Sequence, residues 1–229
     1  MNIIVAGNIP DEIQNSLKKI GFNVFLSPLN PYVLKPLRYH PDMQIASADG
    51  NLVCDSGLYD TYCTIFAQNG KKLLCGKTQT QCTYPKDVAY NIKVVGKYVF
   101  HNFKYTDEKL KEVVADKTFI DVSQGYTGCS ICTVSDSAII TADRIIHEKA
   151  LSAGVDSLLI NPQGIKLEGF DYGFVGGSSF LHDGILYFFG DISSHPDCLK
   201  IKDFCRKHDT EICILGTDVL TDYGSAITF

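Results

Sequence analysis

The sequence predicts an α/β protein in which five ββαβ units form a five-fold pseudo-symmetric propeller. Three observations predict this fold. Four strand–turn–strand units recur along the chain, and five helix-like stretches are each followed by a short apolar strand. In addition, an apolar strand stands near each end of the sequence without a turn to join it to a partner. We expect these terminal strands to pair and close the ring, which would remove exposed sheet edges.

The four predicted hairpins have β-branched or aromatic residues on both sides of a turn of Gly, Asn, Asp or Ser. They span residues 43–56, 90–102, 129–143 and 173–191, with turns near Asp49-Gly50, Gly96-Lys97, Ser135-Asp136 and Asp183-Gly184. Residues 2–7 and 223–229 would supply the fifth hairpin. The alternative is an open α/β sheet with irregular hairpins.

The five helix–strand segments are marked by capping and stop signals. Predicted helices cover residues 11–20, 60–69, 107–115, 144–153 and 196–208, and the strands after them cover 22–26, 72–75, 118–122, 157–160 and 211–215. Thr106 is a candidate N-cap, and Pro196 suits a first helical position. Gly21, Gly70 and Gly154 are placed to end three of the helices. We therefore expect residues 1–229 to form a single domain of five repeats of about 45 residues.

The composition narrows the classes of function. A hydrophobic fraction of 45% and a net charge of -5 are typical of an ordinary globular protein and do not favour nucleic acid as a partner. No apolar run approaches the ~20 residues that cross a bilayer, and the first residues lack the basic region of a secretory signal. We expect a cytoplasmic protein whose nine cysteines are reduced.

Short segments of the chain can be compared with known sequence motifs. His40-Pro41-Asp42 resembles an H-x-D element, and the segment 166–171 (KLEGFD) resembles an LEGGD element with Phe170 in place of the second glycine. Together with the five-fold topology, these segments resemble the pentein superfamily, the guanidino-group-modifying enzymes. The segment 224–228 (GSAIT) departs from the terminal G-x-x-C-x-T motif of these enzymes. Residues 40–44 (HPDMQ) and 124–130 (QGYTGCS) also resemble motifs of an uncharacterised pentein-like family.

The resemblance implies roles for these residues. In the superfamily the histidine of H-x-D is the acid/base and the aspartate binds substrate, which assigns His40 and Asp42. The LEGGD element offers carboxylates to a guanidinium, which assigns Glu168 and Asp171. Ala226 stands where the terminal nucleophilic cysteine would fall, so the usual nucleophile is absent.

Cys129 is the candidate replacement nucleophile. It follows the glycine-rich segment 125–128 at the start of a hairpin, where we expect an exposed thiol that His40 could activate. The alternative is a small buried cysteine with a structural role. The alignment of the five repeats places further residues near the central axis of the predicted propeller. The predicted substrate-binding residues are Asp42, Gln44, Asn91, Glu168, Asp171, Gly177 and Ser225.

These residues support three functional hypotheses. The first is a hydrolase or transferase that acts on a C–N bond of a small guanidine- or amide-containing metabolite through Cys129 and His40. The second is a non-catalytic pentein-fold protein that binds a small molecule or a protein partner. The third, a redox or metal protein, is the least favoured because positions i and i+3 of the Cys129–Cys132 pair face opposite sides of a strand. We expect a small-molecule ligand, and neither a cofactor, a metal, nucleic acid nor a membrane; the sequence does not indicate an oligomeric state.

Overall fold

The computed structural model describes the backbone of residues 1–229 and every side chain except that of Gln68. Within this part of the chain, short strands alternate with helices of at most ten residues. The strands are β1 (Asn2–Val5), β2 (Asn23–Leu26), β3 (Ile45–Ala48), β4 (Asn51–Cys54), β5 (Leu73–Cys75), β6 (Lys93–Val95), β7 (Tyr98–His101), β8 (Thr118–Asp121), β9 (Ile131–Ser135), β10 (Ala138–Thr141), β11 (Asp156–Leu159), β12 (Ser179–His182), β13 (Ile185–Phe188), β14 (Glu211–Ile214) and β15 (Ile227–Thr228). The α-helices are α1 (Asp11–Ile20), α2 (Tyr59–Gln68), α3 (Glu108–Val113), α4 (Thr127–Ser130), α5 (Arg144–Ser152) and α6 (Cys198–Lys207), and 3₁₀ turns cover Lys35–Leu37, Pro41–Met43 and Ile192–Ser194.

The described strands form five three-stranded sheets that share one plan. In four of them a hairpin pairs antiparallel, and the strand after the next helix pairs parallel with the second hairpin strand. In the fifth sheet β1 pairs parallel with β2 and antiparallel with β15, with Ile4 opposite Ile227. The terminal strands thus pair as predicted, although no sheet closes on itself.

Five apolar clusters fill the spaces between sheets. Ile4 of β1 packs with Ile45 of β3 and with Phe66 of α2, so the first sheet shares a core with the second. The remaining clusters join the second sheet to the third, the third to the fourth, the fourth to the fifth, and the fifth back to the first. Burial of apolar surface between successive sheets therefore brings residues that are far apart in the chain into contact.

The cap of α3 and the first residue of α6 differ from the prediction. Asp107, not Thr106, caps α3, because its Oδ1 accepts hydrogen bonds from the amides of Lys109 and Leu110. The Thr106 hydroxyl instead lies 2.6 Å from Nδ1 of the buried His101. The last long helix, α6, begins at Cys198, two residues later than predicted. No helix in the described part of the chain has the length and hydropathy of a membrane span.

The pairing of the chain ends makes a prediction about stability. Ile4 is fully buried between two sheets, so Ile4→Ala should lower the free energy of unfolding by about 2–5 kcal/mol, measured by urea denaturation. The matched control is Leu199→Ala on α6, whose side chain is 76% exposed and should change stability by less than about 0.5 kcal/mol. Equal effects of the two substitutions would contradict the shared core.

Candidate functional site

The segments that lead into β3, β9, β12 and β15 meet at one place, where backbone hydrogen bonds join them. The amide of Asp42 donates to the carbonyl of Gly224 (3.2 Å), which joins the first hairpin to the C-terminal segment. The amide of Gly177 donates to the carbonyl of Cys129 (2.9 Å), and the amide of Ser225 donates to the carbonyl of Gly177 (2.8 Å). The predicted convergence of these residues is therefore observed.

Cys129 lies within the single turn of α4, and only 3% of the residue is exposed. Its thiol Sγ is 2.9 Å from Oδ2 of Asp42 and 3.2 Å from Nδ2 of Asn91. The Cys129 amide donates to Oδ1 of Asn91 (3.2 Å), so Asn91 positions both ends of the residue. The expected exposed thiol is thus wrong: the neighbouring loops cover it.

The electrostatic surroundings of Cys129 keep its thiol protonated. Burial raises the pKa of this thiol well above its usual value, and the negative charges of Asp42 and Asp222 raise it further. The thiol donates its proton toward Asp42, and no hydrogen bond joins it to His40, the residue that we expected to activate it. A thiolate would need an added positive charge nearby.

Asp222 is the central residue that the sequence analysis missed. Its Oδ2 accepts from the amide of Phe174 (2.9 Å), and its Oδ1 accepts from the amide of Gly224 (2.9 Å) and lies 3.8 Å from Nδ1 of His40. A side chain at Gly177 would collide with the Asp222 carboxylate, which explains a glycine at that position. Its position in the sequence could have indicated this role, because Asp222 directly precedes the terminal strand and the repeats place the starts of such strands near the central axis of the propeller.

Two buried carboxyl groups therefore flank the thiol. Burial raises the pKa of both Asp42 and Asp222, and the charge of His40 opposes that effect at each. Oδ1 of Asp42 and Nδ1 of His40 are buried without a hydrogen-bond partner among the described residues. Buried polar groups without a partner in the protein are typical of functional sites.

Gln44 and Ser225, which we predicted to bind substrate, make hydrogen bonds within the protein. Nε2 of Gln44 donates to the carbonyls of Pro28 and Arg38, and its Oε1 accepts from the Tyr62 hydroxyl (2.7 Å). The Ser225 hydroxyl donates to a carbonyl of β12 (2.8 Å). Both side chains therefore hold the loops of the site.

Two cavities open onto the central residues. An apolar cavity of about 270 Å³ is lined by Leu37, Met43, Tyr126, Cys129, Leu167, Phe170, Asp171, Tyr172, Phe174 and Asp222. A polar cavity of about 390 Å³ is lined by Asn8, Pro36, His40, Lys166, Leu167, Glu168, Asp218, Val219, Thr221, Asp222 and Tyr223. The predicted carboxylates Glu168 and Asp171 thus lie in different cavities, and Asp222 lines both.

A third cavity, of about 220 Å³, is lined by Asp42, Lys93 and Ser225, and Asp42 is absent from the linings of the first two. Burial lowers the pKa of Lys93, and the carboxylate of Asp42 partly opposes this. Among the described residues, no group of three His, Cys, Asp or Glu side chains is placed to hold a metal ion. All nine cysteines are free thiols.

The chain matches a known protein family and is similar in structure to several solved proteins. A model of a family of unknown function (DUF6873) matches residues 4–227. A search of curated proteins gave no match. Among solved structures, the chain is similar to a dimethylarginine dimethylaminohydrolase from Pseudomonas aeruginosa in complex with citrulline, with a TM-score of 0.59 and 5% identity over 95% of this chain and 91% of that chain.

Two other solved structures have the same architecture. An agmatine deiminase from C. jejuni has a TM-score of 0.56 and 11% identity over 93% of this chain and 87% of that chain. An amidinotransferase of the saxitoxin pathway from Microseira wollei has a TM-score of 0.55 and 9% identity over 97% and 89%, respectively. The chain therefore has the pentein fold, as its motifs suggested.

The buried carboxyl groups make a prediction about pH. Because the pKa of Asp42 is raised in the folded protein, the folded state binds the proton more tightly, and this residue destabilises the fold increasingly as the pH rises above about 4. Asp42→Asn should therefore gain stability relative to the wild type as the pH rises above about 4, until Asp42 is ionised in the folded protein as well, measured by urea denaturation at a series of pH values. Asp116→Asn, at an exposed position, is the control. A stability difference between Asp42→Asn and the wild type that did not change with pH would contradict the effect of burial.

Proposed function

We propose that this chain, which belongs to the family of unknown function DUF6873, cleaves a C–N bond of a small guanidine- or amide-containing metabolite as a hydrolase or transferase. Cys129 is the nucleophile and His40 the acid/base. The observation that carries this proposal is the contact between the buried Cys129 thiol and Asp42, next to a second buried carboxyl group, Asp222, that faces His40. The proposal includes a closed ring of five sheets, supported by the cyclic order of their shared cores.

A cationic substrate would compensate the negative charges of the two buried carboxyl groups in this site. A guanidinium that lies against Asp42 and Asp222 would stabilise their charged forms, and its planar N–H groups match carboxylate oxygens. The same positive charge would lower the pKa of the Cys129 thiol, which burial and the carboxylates raise in the free protein. The nucleophile would thus become reactive only when substrate is bound.

The reaction balances for a guanidinium of the form R–NH–C(NH₂)₂⁺. The Cys129 sulfur forms a bond to the central carbon, a C–N bond breaks, and the departing nitrogen gains one proton and leaves as ammonia. Asp42 accepts the thiol proton, protonated His40, beside Asp222, donates one to the departing nitrogen, and passage of the Asp42 proton to neutral His40 restores both groups. A cationic thiouronium group, R–NH–C(NH₂)⁺–S, stays on Cys129.

Water then completes the hydrolysis. It adds to the same carbon, the C–S bond breaks, and a substituted urea, the Cys129 thiol and one proton are released. In a transferase, an acceptor amine takes the place of water and a new guanidine forms. The site residues are the same in both cases, so the acceptor decides between these two reactions.

The second candidate function is a non-catalytic protein that binds a cationic small molecule in the same place. The raised pKa of Cys129 and the alanine at position 226 favour it. Binding would again use Asp42 and Asp222. The two candidates differ only in whether the sulfur attacks the bound ligand.

Turnover separates the two candidates. The wild type should release ammonia from at least one compound in a panel of guanidines, and Cys129→Ser should lower kcat by about a thousandfold or more. The control is Cys82→Ser, since Cys82 is an exposed free thiol that lines none of the three cavities, and its loss should leave turnover unchanged. Retained turnover in Cys129→Ser, or no turnover of any compound by the wild type, would reject the catalytic proposal.

A further inference from the structure

We infer that the substrate is a guanidine that carries an apolar group, an aryl or branched alkyl substituent, in place of an amino-acid side chain. This inference rests on the proposed function, because it places the guanidinium between Asp42 and Asp222. It adds the chemical nature of the rest of the molecule. The argument comes from the two cavities that meet at Asp222.

Apolar side chains surround the cavity that contains the nucleophile. The rings of Tyr126 and Phe174 stack with their centroids 6.3 Å apart and an interplanar angle of 30°, and Leu167 and Met43 also line the cavity. The Phe174 amide also holds Asp222, so the aromatic wall begins directly at a carboxyl group of the site. At about 270 Å³ the space suits a molecule with one ring.

The charges that line this cavity are of one sign. Its lining includes the buried Asp222 and the exposed Asp171. A substituent with a free carboxylate would meet like charges here, with no cationic side chain in the described lining to pair with it. The aromatic walls instead favour an uncharged planar or branched group, which would leave water for an apolar surface.

The second cavity suits the leaving group. It contains His40 and several charged side chains, among them Lys166 and Glu168, and it shares Asp222 and Leu167 with the apolar cavity. Because Cys129 lines the apolar cavity and His40 the polar one, the apolar group stays with the carbon that is bound to sulfur. The departing ammonia, which His40 protonates, leaves through the polar cavity.

Three probes test this inference by calorimetric titration of the Cys129→Ser variant, which prevents turnover. Phenylguanidine should bind at least about tenfold more tightly than methylguanidine, since even a single methylene in an apolar pocket is worth that much. Arginine, which carries a carboxylate, should bind no more tightly than methylguanidine. If arginine or methylguanidine matches phenylguanidine, the inference fails while the proposed function stands. If none of the three binds, both fail.

Substitutions in the wall of the apolar cavity test whether this cavity binds the phenyl group. Phe170 is 46% exposed at the cavity, so Phe170→Ala should fold normally and weaken phenylguanidine several-fold without changing the affinity for methylguanidine. Phe174→Ala should have a larger effect of the same kind. Phe119→Ala is the matched control, because Phe119 is 43% exposed and stacks on Phe103 away from the site. Unchanged phenylguanidine affinity in both cavity variants would overturn the inference.

Discussion

The site depends on the burial of two carboxyl groups, those of Asp42 and Asp222, next to one thiol. Burial disfavours their charged forms, and their raised pKa values and that of Cys129 all follow from the same lack of solvent. Without a cation, the three groups hold the sulfur in its unreactive protonated form. A bound cation changes the balance at all three groups together, so one electrostatic constraint links substrate recognition to activation of the nucleophile.

The fold supplies this constraint through contacts between distant parts of the chain. Shared apolar cores hold successive sheets together, and the pairing of β1 with β15 brings the segment that contains Asp222 beside the first hairpin. The resulting contact between the Asp42 amide and the Gly224 carbonyl joins residues from opposite ends of the sequence. Gly224 itself has a φ of +72° and lies directly against His40, where a side chain would collide. Small residues here allow the charged groups to approach one another.

Local features of the fold could be predicted because their causes are local. Hairpin turns such as Asp183-Gly184, and helix ends such as Gly21, depend on the conformations that a few neighbouring residues prefer. The capping of α3 was assigned to the wrong residue because Thr106 is engaged by His101, a partner that only the folded chain provides. The burial of Cys129 and its contact with Asp42 join residues 87 positions apart, and the role of Asp222 depends on how the sheets pack. No pattern among neighbouring residues in the sequence predicts contacts between residues so far apart.

The most direct test of this account is mass spectrometry of the wild-type protein quenched by acid during reaction with phenylguanidine. The account predicts a covalent adduct on Cys129 whose added mass equals that of the substrate less ammonia, because the apolar group stays with the carbon bound to sulfur. Digestion would place it on the peptide that contains Cys129 and not on those of the other cysteines. Substrate consumption without any adduct on Cys129, or an adduct that has lost the phenyl group, would contradict the account.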